Sequence, residues 1–234
     1  MRLMILLFWT LTAVATPSLD PKPELSEVLK RFRTEGPKGW SFTQSTNAEG
    51  RTMIERYDSA QPEFNRWTLV SEDGRTPNDE AQRRYRDKFS RYTNSVTAPQ
   101  LSDQIDQASL VIVTETAERI TYRGRLKPSE KEDRTAAFLR AVIVWHKATG
   151  TIESLAIENT ATFAPSFGVK IEQMKTTMTY SLPAPDQPSL LQSVVTRLRG
   201  TAFWIKSIDA DMTVVYSAYA PAAAARTNRS GTNP

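Results

Sequence analysis

The sequence predicts an α+β protein that is mostly β: a curled antiparallel sheet of about ten strands with two helices on its concave side. Three observations lead there. Short runs that alternate apolar and polar residues recur along the chain, separated by Gly, Pro, Asn and Asp turns. Only two stretches, residues 18–34 and 76–92, carry the spacing of an amphipathic helix. Two helices are too few to cover a parallel sheet by crossover units, so an antiparallel meander is expected. A long meander curls, and a helix can fill its open side.

The chain opens with Arg2, a nearly unbroken apolar run from Leu3 to Leu11, and the small-x-small signal Ala13-Val14-Ala15. That is the layout of a secretory signal peptide cleaved after Ala15. The run is shorter than the roughly 20 residues of a membrane span. Residues 1–15 are therefore read as a signal peptide, and the expected location is periplasmic or secreted. There is no Cys, which excludes a disulfide framework, a lipidated Cys and any Cys-based metal or redox site. The formal net charge of +4 is spread along the chain. Nucleic acid, which needs a clustered basic face, is not an expected partner. No central linker is visible, so residues 16–220 are read as one domain. Residues 221–234, Ala-rich and then polar, read as a disordered tail.

The first helix is expected over Ser18–Thr34, with Leu25, Val28, Leu29 and Phe32 on one face, Asp20 as N-cap and Pro21 at the first helical position. Gly36-Pro37-Lys38-Gly39 ends it. Strands follow at Trp40–Ser45, Arg51–Asp58 and Arg66–Ser71. In the second, Glu55 shares a face with Met53 and Tyr57, so that strand is not cleanly one-sided. The second helix starts at Thr76-Pro77-Asn78-Asp79, close to a capping box. Ala81, Tyr85, Phe89 and Tyr92 mark its apolar stripe, and Arg83, Arg84, Arg86, Lys88 and Arg91 crowd the rest. A peripheral membrane contact through Arg83, Arg84 and Arg86 is the functional reading of that helix. A solvated face with local acidic partners is the simpler one.

Further strands are expected at Leu101–Ile105, Leu110–Thr116 and Arg119–Leu126, and a charged loop at Lys127–Thr135. Phe138–His146 and Thr151–Asn159, joined by a Thr-Gly turn, form the clearest hairpin. Its first arm is apolar on both faces, which predicts cover on two sides. Phe163–Gly168 reads as a break, Val169–Leu182 as a long Thr-rich strand, and Leu190–Gly200 with Ala202–Tyr219 as a last pair.

No catalytic motif occurs. There is no G-x-S-x-G, S-x-x-K, H-E-x-x-H or Gly-rich phosphate loop. The single His146 lies at the mouth of a hairpin. The neighbouring acids Glu72/Asp73, Asp79/Glu80 and Asp209/Asp211 suit turns and caps better than a cleft. No enzyme activity, cofactor or metal is expected. Trp40, Phe42, Tyr57, Trp67 and Trp145, with Met174 and Met178 on one face of the long strand, are the candidate lining of an apolar cavity. Close-packed core is the alternative.

Element order brings out a resemblance. A buried strand, a Thr-Gly turn, an Ile/Leu strand, Phe163-Ala164-Pro165 and the long strand opening Gly168-Val169-Lys170-Ile171 follow each other between Phe138 and Tyr180. With the signal peptide and the N-terminal amphipathic helix, this resembles the periplasmic lipoprotein carrier and receptor proteins of the Lol system and the uncharacterised exported proteins grouped with them. The resemblance implies an open β half-barrel with helices in its concave side, and a lipid or lipoprotein acyl chain shielded there. It assigns no individual binding residue. The chain departs from it in its basic second helix and in lacking the receptor type's lipidated Cys. An exported, non-enzymatic binding protein is thus the expectation; a structural or protein–protein module of the cell envelope, with an envelope protein partner, is the alternative.

Overall fold

A computed structural model describes residues 23–32, 39–92, 101–128, 135–203 and 205–222, without side chains for 88–92. The expected signal peptide, the expected Asp20–Pro21 cap, most of the expected charged loop and nearly all of the expected tail lie outside the described residues. Helix α1 (Pro23–Arg31) precedes strands β1 (Trp40–Ala48), β2 (Arg51–Tyr57) and β3 (Trp67–Glu72). Helices α2 (Asp79–Tyr92) and α3 (Leu101–Gln104) follow. Then come β4 (Val111–Glu115), β5 (Arg119–Arg125), β6 (Leu139–His146) and β7 (Thr151–Asn159). The last four are β8 (Phe163–Ser166), β9 (Val169–Tyr180), β10 (Leu191–Ala202) and β11 (Lys206–Pro221).

The protein is mostly β, as expected, and its strands form one 11-stranded antiparallel sheet in the order β3-β2-β1-β11-β10-β9-β7-β6-β5-β4, with β8 beside β9. Two expectations fail. The ribbon is not a simple meander, because the first and last strands pair in its middle, Trp40 opposite Pro221 and Ala48 opposite Met212. The sheet is also neither closed nor strongly curled. Curling would enclose an apolar face; here helices cover much of that face instead, and β3 and β4 remain as edges.

One face carries the core. A cross-strand row runs Tyr122–Ile143–Leu155–Met178–Val194–Val214–Thr46–Met53, from β5 to β2. Directly opposed residues of antiparallel strands point the same way, so this row is one stripe. Leu25 and Leu29 of α1, with Leu101 and Ile105 at α3, bury against its β5–β9 half, together with Ile120, Trp145 and Ile152. Tyr85 of α2 covers β2 on the same face. The opposite face shows Thr177, Thr179, Ser193 and Thr213 among the ion pairs Arg140–Glu158, Lys175–Glu158 and Arg199–Asp211.

Several local expectations are corrected. Helix α1 is described over Pro23–Arg31, and residues 18–22 and 33–34 of the expected helix lie outside the described residues. Helix α2 is capped by Asn78, whose Oδ1 accepts the Ala81 N–H at 2.9 Å, and not by Thr76. Leu101–Gln104 are a helical turn instead of a strand, and Ile105 makes a single β-bridge to Leu126. Leu101 and Ile105 share a face under either period, so the pattern cannot separate them. Residues 163–166 are a strand, and Pro165 is tolerated because β8 is peripheral. In β6, Ala141, Ile143 and Trp145 are buried while Val142 and Val144 are only half-buried, so that strand is covered on one side. Asp209 and Asp211 are not a turn. They lie inside β11, where Asp211 accepts from Arg199 Nη2 at 2.6 Å. Gly200 does not end β10 either. A Cβ there would sit 2.3 Å from the Lys170 carbonyl oxygen, so this glycine permits close strand approach within the ladder.

Candidate functional site

The apolar row continues past the part that α1 and α3 cover. On β9, β10 and β11 the same face presents Met174, Leu198 and Met212, each half-buried. Strand order places these between the α1-covered half and the α2-covered edge. At the β1–β2–β3 end, five aromatic rings gather because their strands bring them into register. Tyr57 opposes both Phe42 and Trp67. Phe42 is the hub: it stacks on Tyr57 at 5.0 Å and meets Trp67 edge-on at 5.7 Å. Tyr216 and Tyr219 of β11 approach it at 5.6 Å each. Tyr57 and Trp67 are 5.1 Å apart. All five are half-buried. Tyr219 donates to the Leu191 carbonyl at 2.6 Å. Burial pushes the phenols of Tyr216 and Tyr219 above their ordinary range.

Beside this cluster lies a polar spot. Glu55, only 3% exposed, accepts from Tyr85 Oη at 2.7 Å and from Gln44 Nε2 at 2.9 Å. Burial, and then the hydrogen bond and charge of Glu55, hold the Tyr85 phenol well above its usual range. The pair fastens α2 to the sheet, and Gln82 Nε2 adds a 2.6 Å bond to the Leu69 carbonyl.

Of the residues named from the sequence, Phe42, Tyr57 and Trp67 come together. Trp40 shares their face by alternation along β1 and is half-buried at its first residue. Met178 packs at the margin of the core, and Met174 lies two steps further out on the same face, past Thr176. Trp145 is 4% exposed among Ile120, Ile143 and Ile152, so it belongs to the packed core and lines no accessible surface. Residues that sequence reasoning missed are Gln44, Tyr85, Met212 and Tyr219. One signal was legible: an acid between two apolar residues on one strand face, as Glu55 is, calls for a buried partner.

Arg83, Arg84 and Arg86 are exposed on α2, and Arg84 pairs with Glu80 at 2.6 Å. His146 ends β6 with Nδ1 2.9 Å from Thr149 Oγ1. Among the described residues no group of three or more His, Asp or Glu could hold a metal ion. Compared with family models, curated proteins and solved structures, the chain matches none of them.

Proposed function

We propose that this is an exported, non-enzymatic binding protein that receives an acyl chain on the apolar face of its sheet. The observation that carries the reading is the continuation of that face beyond its helices, from Met174, Leu198 and Met212 to the rings around Phe42. With the sheet uncurled, the chain would lie along a face instead of inside a barrel. Each methylene so buried contributes about 0.8 kcal/mol. A few methylenes against Met174 and Met212 therefore yield useful affinity, and flexible Met side chains adapt to chains of differing shape.

The test is native mass spectrometry of the chain from residue 16 onward mixed with palmitoyl lysophosphatidylglycerol. The native chain should retain the lipid. Met212→Glu, on the apolar face, should abolish retention, while Val215→Glu, on the opposite face, should not. No retention by the native chain, or equal retention by both variants, rejects the reading.

A further inference from the structure

At one end of the sheet three strands run past their neighbours. β11 pairs with β1 only from Met212 onward, and β9 pairs with β7 only from Lys175 onward. Residues 206–211 of β11, 197–202 of β10 and 169–174 of β9 therefore form a tongue, with β8 along its side. At roughly 3.3 Å per residue it extends about 20 Å past β1 and β7. Its body carries the ion pairs Arg199–Asp211 and Lys170–Glu172, with Met174 and Leu198 on the apolar face of the sheet. Its tip is apolar throughout. Phe167, in the β8–β9 turn, is 86% exposed; Phe203 and Ile205, in the β10–β11 turn, are 62% and 91% exposed. The sequence places Trp204 between the last two.

The two turns are joined. The Phe203 N–H donates to the Gly168 carbonyl at 2.6 Å. Phe203 has φ 50°, a left-handed conformation that a bulky residue rarely adopts. Its ring occupies the space beside Gly168, where a Cβ would meet Phe203 Cδ1 at 3.0 Å. Turn positions of this kind ordinarily go to Gly, Asn or Asp. Strain that keeps an aromatic ring at an exposed apex points to a use for the ring.

We infer that this tip is a membrane anchor: Phe167, Phe203 and Ile205 enter the interfacial region of a lipid bilayer, with Lys170 and Lys206 at the level of anionic headgroups. The shape favours lipid over a protein partner. A stable protein interface needs about 800 Å² from each side, whereas a few side chains of about 150–250 Å² each fall short of that. Two convex apices also need no complementary groove in a fluid interface. Lys170 and Lys206 stand next to the apices in the chain and are both exposed. This placement differs from the α2 arginines and does not rest on the acyl-binding reading.

The test is co-sedimentation of the chain from residue 16 onward, as left by the expected signal-peptide cleavage, with vesicles of phosphatidylethanolamine and phosphatidylglycerol. The native chain should pellet with the vesicles. Ile205→Ser should weaken partition about tenfold, the scale for withdrawing one large apolar side chain from a nonpolar phase, and Phe203→Ser with Ile205→Ser should weaken it further. Ile205 is too exposed for its loss to unfold the sheet, which circular dichroism would verify. Replacing Arg83, Arg84 and Arg86 together with Ser should leave most of the partition intact. A native chain that stays in the supernatant overturns the inference. So does an Ile205→Ser chain that pellets like the native one, or an arginine variant that loses as much as the double tip variant. Palmitoyl lysophosphatidylglycerol retention by the tip variants should match the native chain, which separates failure of the anchor from failure of the acyl site.

Discussion

Glu55 shows how one side chain ties a helix to a sheet. A carboxylate buried under α2 is costly unless its oxygens are satisfied, and Tyr85 and Gln44 supply one donor each. Tyr85→Phe removes the shorter bond and leaves Oε1 without that donor. The expected loss is about 1–3 kcal/mol, read as a lower urea midpoint at unchanged m-value. Combined with Glu55→Gln it should cost less than the two single changes added together, because they share one interaction. The anomaly was legible: an acid sat on the apolar side of its own strand pattern. Its partner was not, since Tyr85 lies 30 residues away and reads on its own as part of a helix's apolar stripe. Trp145 failed in the other direction. Periodicity marks a ring as inward-facing and cannot tell a packed interior from an accessible one.

At the scale of elements, the hairpin β6–β7 was legible almost to the residue, because a long apolar run, a Thr-Gly turn and a second run leave little alternative. Which side of β6 is covered was not legible, since Val142 and Ile143 are equally apolar. The structure sets Ile143 fully buried and Val142 half-buried. Ile143→Ala should cost about 2–5 kcal/mol and Val142→Ala less than about 1 kcal/mol, measured by chemical denaturation. Equal losses would mean that something covers the second face after all. α3 and β8 were misread for a related reason. Elements of a single turn or a few residues hold too few positions to establish a period, so packing against α1 and pairing with β9 decided them.

For the whole molecule, the pairing of β1 with β11 matters most. It places the ends of the described strand ribbon in the interior of the sheet and leaves β3 and β4, consecutive along the chain, as its two edges. Amide hydrogen exchange should follow that order and not chain position: slowest in β9, β10, β11 and β1, fastest in β3 and β4. Rapid exchange along residues 212–215 of β11, which pair on both sides, would contradict the topology. The sequence by itself determined the class of the molecule. Alternation, turn residues and only two extended amphipathic stretches suffice for a large antiparallel sheet carrying two longer helices, because these are local signals written within a few residues. Only the tertiary structure decided which strands are neighbours, how far the sheet curls, which of two apolar faces is covered and which glycines serve strand contact instead of a turn. Those choices arise from pairing and burial between segments distant along the chain, where several registers satisfy the same local pattern and packing of the whole selects one.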